Sequence, residues 1–153
     1  MFDVELSNRQ DLVPIDEDQI QSAVRRVLRG EGVTTARVGI AVVDDDTIRQ
    51  LNRRYLNHDC ATDVLSFELD GRSDGLDGDI MISAEMAAMT AHQYGWDASD
   101  ELLLYAVHGT LHLIGYRDNT DYSRAVMRER ECNYLAGYGL QPRYQQPKGA
   151  SKR

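Results

Sequence analysis

Lysine is almost missing from this 153-residue chain: Lys148 and Lys152 are the only two, and both lie in the last six residues. The remaining positive charge is arginine, and the formal net charge is −8. That balance excludes a protein that coats nucleic acid by bulk attraction, so any polyanion must be met by a local patch. Cysteine is equally scarce. Cys60 and Cys132 stand far apart with no CxxC, which excludes a disulfide framework or a thiolate zinc site and fits a reduced, cytoplasmic protein. No apolar run approaches the roughly 18 residues of a membrane span. Met1-Phe2-Asp3-Val4-Glu5-Leu6 also lacks the basic and then apolar order of a signal peptide. What is there is a globular composition, 42% hydrophobic and 27% charged, long enough for one domain with a real core. The expected domain spans residues 1–140. Residues 141–153 carry Arg143, Lys148, Lys152 and Arg153 with no acid, and are expected to form a flexible basic tail.

Histidine is the third scarce residue, with four in the chain. Two of them fall in Val107-His108-Gly109-Thr110-Leu111-His112-Leu113-Ile114-Gly115-Tyr116-Arg117-Asp118, at the end of the most apolar stretch. That stretch reads as a buried helix, on which His108 and His112 share one face a turn apart. A histidine pair in a core helix is compatible with plain structural hydrogen bonding. Burying two imidazoles among leucines nevertheless costs free energy unless each ring nitrogen finds a partner. Gly109 in mid-helix costs about 1 kcal/mol relative to alanine, which suggests a close approach to the backbone. Gly115 offers a helix stop, and Asp118 follows on the returning chain. Two imidazoles and a carboxylate make an accepted donor set for a divalent cation. His58, His92 and Asp121 are the competing third donors.

The rest of the chain alternates strands and helices. Strands are expected near residues 2–6, 37–43, 63–68 and 79–82, from alternation of apolar and polar residues. Helices are expected after Asp16, after Asp44-Asp45-Asp46, after Ser83, from Asp97 and from about Asp121. The triple aspartate reads best as N-capping, where carboxylates meet the positive end of the helix dipole. Met81, Met86 and Met89 read as core filler. The sum is a compact α/β or α+β layer structure without repeats or a second domain.

Three stretches, in order, carry a resemblance: Leu51-Asn52-Arg53-Arg54-Tyr55 with Asp59 and Thr62-Asp63-Val64-Leu65-Ser66-Phe67, then Gly78-Asp79-Ile80-Met81-Ile82-Ser83, then the histidine stretch. They resemble the YbeY family of bacterial endoribonucleases, whose signature runs His-Gly-x-Leu-His-Leu-x-Gly-Tyr-Asp-His. The resemblance implies a mainly parallel four-stranded sheet with one antiparallel strand. It also implies a small α+β fold, and a divalent metal, most often zinc, at the three signature positions, here His108, His112 and Asp118. The implied activity is single-strand endoribonuclease cleavage in ribosomal RNA maturation, at the 3′ end of the small-subunit RNA, and in ribosome quality control. The partners would be ribosomal RNA and components of the small subunit, with no membrane; no oligomeric state follows.

Two departures from the family bear on the chemistry of the site. The third metal histidine is Asp118, whose charge makes a bound metal a weaker Lewis acid and shifts preference somewhat toward harder cations. The arginine that usually follows the tyrosine at Tyr55 is Leu56, and Ala61 replaces a proline. Arg54 or Arg117 is then the candidate to meet a phosphate, with Arg53, Asp63 and Ser66 as candidate substrate contacts.

Overall fold

The computed structural model describes residues 1–56, 63–69 and 75–144. His58, Cys60, Ala61, the side chain of Leu56 and residues 145–153 lie outside the described residues. Four strands form one sheet: β1 (Phe2–Asn8), β2 (Ala36–Val43), β3 (Val64–Glu68) and β4 (Leu76–Ser83), in the order β1-β2-β4-β3. β1 and β4 both run parallel to β2, and β3 runs antiparallel to β4. Among the described residues there are five helices, α1 (Glu17–Gly30), α2 (Asp45–Leu56), α3 (Ala84–Tyr94), α4 (Ala98–Ile114) and α5 (Asp121–Ala136).

Alternation along the strands divides the core into two. Val38, Ile40 and Val42 of β2 and Ile80 and Ile82 of β4 face α1, α3, α4 and α5. Ala41 and Val43, with Leu65, Phe67 and Met81, face the other way and pack with Ile48 and Leu51 of α2. Helix starts follow the expected chemistry. The Asp44 carboxylate accepts from Thr47 N at 2.8 Å, and Ser83 Oγ accepts from Met86 N at 3.0 Å. One expectation is wrong: Met89 is 54% exposed, so it is not core filler.

α4 lies against β3 and β4 and touches α1, α3 and α5. Leu102, Leu103 and Leu111 on it are fully buried, and each such side chain stabilises by about 1.5–3 kcal/mol. Gly109 is what lets the helix approach the sheet. A Cβ there would stand 2.7 Å from Ile80 Cγ2 and 3.1 Å from Val64 Cγ1. The approach expected at this glycine is therefore that of the protein's own sheet. Ser66 Oγ donates to the Gly109 carbonyl at 3.0 Å across the same contact.

Beyond α4 the chain reverses at Gly115, whose φ of +124° disfavours other residues. The returning segment is pinned. Tyr116 and Tyr134 hydroxyls donate to the two oxygens of the nearly buried Glu31 carboxylate at 2.6 and 2.5 Å. A reciprocal capping box of Thr120 and Ser123 then starts α5.

Candidate metal centre

The turn at Gly115 brings Asp118 back over the face of α4 that carries the two histidines. Asp118 Oδ2 lies 3.5 Å from His108 Nε2 and 3.4 Å from His112 Nε2, and one donor atom from each residue falls within 4.8 Å of the others. The rings stand edge to face, with centroids 4.6 Å apart. A tetrahedral zinc shell with bonds of about 2.0–2.2 Å has ligand–ligand edges of about 3.4 Å. The two nitrogen–oxygen separations match such edges, and two imidazoles with a carboxylate suit a divalent cation chemically. These residues fit a metal.

The second nitrogen of each ring is already engaged. His108 Nδ1 lies 2.5 Å from Glu131 Oε2, and His112 Nδ1 lies 3.0 Å from the Tyr116 carbonyl. A carbonyl only accepts, so His112 donates through Nδ1–H, and its Nε2 lone pair is free to face the site. Glu131 does the same for His108 and adds charge. Partners of this kind fix the tautomer and raise the basicity of a metal-binding histidine. Burial alone would lower the His108 pKa, but the Glu131 hydrogen bond and the charges of Glu131, Asp63 and Asp118 outweigh it, and the net direction is upward.

Glu131 is 2% exposed and is held from its other side by Tyr144, whose hydroxyl donates to Oε1 at 2.6 Å. Burial and the adjoining Glu131 charge push the Tyr144 hydroxyl well above its ordinary range, so it remains a donor. Residues 141–144 are thus bonded to the body: Pro142 is buried, and Arg143 donates to the Tyr94 and Gly95 carbonyls at 2.8 Å.

A cavity of about 560 Å³ opens beside the centre, with His108, Asp118, Asp63, Glu101, Glu131, Tyr144, Arg124, Arg128 and Arg143 in its lining. Glu101 is buried on its floor and accepts from Trp96 Nε1 at 2.8 Å. Burial pushes its carboxyl up to about 7.

The structure brings His108, His112 and Asp118 together and places Asp63 in the same cleft. His92 is exposed on α3, and Asp121 is exposed and paired with Arg124; neither joins the cluster. Arg53 and Arg54, in the last turn of α2, and Arg117 are exposed and do not line this cleft. Glu131, Tyr144, Arg124 and Arg128 escape the reading of the sequence, and Arg143 enters it only as part of the basic tail. Only the spacing of Arg124 and Arg128, four apart on one helix, was there to find.

Residues 5–139 match the family model described as Endoribonuclease YbeY. A protein of that description from Carboxydothermus hydrogenoformans is 41% identical, over 90% of this chain and 98% of the relative. One from Moorella thermoacetica is 40% identical, over 88% and 96%. The solution structure of TM1509 from Thermotoga maritima superposes with a TM-score of 0.60 at 20% identity, covering 97% of this chain, and shares the fold.

Proposed function

The chain belongs to the endoribonuclease YbeY family, and on that footing we propose that it is a metal-dependent endoribonuclease cutting single-stranded RNA. The observation that carries the proposal is the convergence of both Nε2 atoms on Asp118 while both Nδ1 atoms are held from behind. In this reading His108, His112 and Asp118 hold one divalent cation, with zinc the first choice. When bound, the cation would supply positive charge at the phosphate and Lewis acidity for the displacement.

The remaining work falls to the chain's own groups. Glu131 and the Tyr116 carbonyl keep the rings oriented without a search during catalysis, which is electrostatic preorganisation. Asp63, in the cleft lining, is the candidate substrate contact from the strand side. The Ser66 hydroxyl proton is already given to Gly109, which leaves only its lone pairs for a substrate. Arg54, Arg117 and Arg53 remain candidates for a phosphate that lies beyond the cleft. The substrate would be ribosomal RNA, at the 3′ end of the small-subunit RNA, with the small subunit as partner and the cytoplasm as site of action. No described helix is long and apolar enough to cross a membrane.

A peptidase reading is disfavoured by Gly109. Helical zinc peptidases carry a glutamate general base directly after the first histidine, and here even a Cβ at that position would strike Ile80. Cleavage of a single-stranded RNA spanning the small-subunit 3′ end, with and without chelator, tests the proposal. Cleavage abolished by chelator and restored by added zinc is the expected result. Binding without cleavage at any metal would instead favour a ribosome-assembly factor of the same fold. Leu56→Arg switching on cleavage would then place the loss at that position.

A further inference from the structure

We propose that Arg124, Arg128 and Arg143 form a track for the RNA backbone that leads the strand past the metal centre. The inference rests on the endoribonuclease reading above and adds the surface that meets the substrate. All three guanidinium-bearing residues line the cleft that contains His108 and Asp118, and all three are exposed. Arg124 and Arg128 are four residues apart on α5, so they share one face about 6 Å apart along the axis. Arg128 and Arg143, with Tyr144, also line an adjoining depression toward Trp96 and Leu140. The row therefore runs out of the metal cleft and continues beyond it.

Their present partners leave them able to bind. Arg128 lies over the Tyr144 ring at 4.6 Å and has no ion pair among the described residues. Stacking of this kind holds the guanidinium plane while leaving its N–H edge for an anion. Arg143 gives one terminal nitrogen to the Tyr94 and Gly95 carbonyls, which fixes the fork without neutralising it. Arg124 is held by the Asp118 carbonyl and by the Asp121 carboxylate, which is itself fully exposed. The two buried acids beneath, Glu101 and Glu131, are occupied with Trp96 and with His108 and Tyr144. Glu101 and Glu131 are buried, Asp63 and Asp118 share the exposed lining, and the three arginines are exposed beside them. In a chain of net charge −8 three exposed arginines along one cleft give a polyanion a local patch to meet.

The test is equilibrium binding of a fluorescein-labelled single-stranded oligoribonucleotide to the full-length chain, in chelator so that nothing is cut, across a salt series. Each phosphate neutralised on a single strand contributes about −0.7 to the slope of log affinity against log salt. Arg124→Gln, Arg128→Gln and Arg143→Gln should each flatten the slope by about 0.7, and the triple variant by about 2. Lysine at the same positions should keep the slope, which separates charge from folding. Arg29→Gln, outside the cleft lining, should leave it unchanged. An unaltered slope in the triple variant, with the parent cutting RNA in the presence of metal, overturns the track and leaves the nuclease reading standing. Flattened slopes with a parent that never cuts support the track and remove the nuclease reading. A parent that neither binds nor cuts removes both.

Discussion

Replacing Glu131 by glutamine removes one charge from the support of the metal centre and leaves its shape. In the parent, Oε2 meets His108 Nδ1 at 2.5 Å and Oε1 accepts from Tyr144 at 2.6 Å, in a site 2% exposed. Glutamine has one acceptor oxygen where glutamate had two. If that oxygen turns to His108, the amide must donate to Tyr144, whose hydroxyl then reverses; the hydrogen bond to His108 survives but is no longer charge-assisted, and such bonds are about half as strong. If it turns the other way, His108 is forced into the tautomer whose Nε2 carries the proton and offers no lone pair to a metal. Either path weakens metal binding. Loss of such a support typically costs about 10–100-fold in affinity, or about 1.4–2.7 kcal/mol. The fold should suffer less, because the variant also sheds the desolvation of a buried carboxylate. Competition against a chromophoric chelator measures the affinity, and urea unfolding of the metal-free protein measures the fold. The reasoning also requires coupling: in a His108→Ala background the glutamine substitution should change zinc affinity little further. Parental zinc affinity for Glu131→Gln, with the fold intact, would refute the account of His108.

Asp118→Ala should lower metal affinity by more than about tenfold, while Asp118→His should keep or tighten it; an alanine variant that binds zinc as well as the parent would show that Asp118 is no ligand. Gly109→Ala should destabilise the fold, because overpacking against Ile80 costs about 1–3 kcal/mol and the helix propensity returned is roughly 1 kcal/mol; urea midpoints read the difference. For Glu101, a rise from 4.5 to about 7 means the native state holds a proton that the unfolded chain has released. Its stabilising contribution is present below about pH 4.5 and falls by about 3 kcal/mol as pH rises through about 7. Glu101→Gln should flatten that part of the profile, and an unchanged profile would contradict the assignment.

Most of the fold was legible because its signals are local. The alternation in residues 37–43, Ser83 as a cap and the glycine stop at Gly115 each act within a few residues of chain. The histidine pair was legible for the same reason, since four residues on a helix fix a shared face. Gly109 was legible as a close approach but not as to what approached, because Ile80 comes from a different strand. Glu131 and Tyr144 were out of reach. A glutamate in the polar α5 differs from its neighbours Glu129 and Arg130 only by the face it turns inward, and that follows from how α5 docks on α4. Met89 misled because a methionine on a helix beside alanines looks like core, and only the open cleft leaves it exposed.

Elemental analysis of the purified protein, beside a His108→Ala/His112→Ala variant, tests the central claim most directly. The account predicts about one zinc equivalent in the parent and none in a double variant that stays folded, since the α4 core holds without metal. Full metal content in that variant would contradict it.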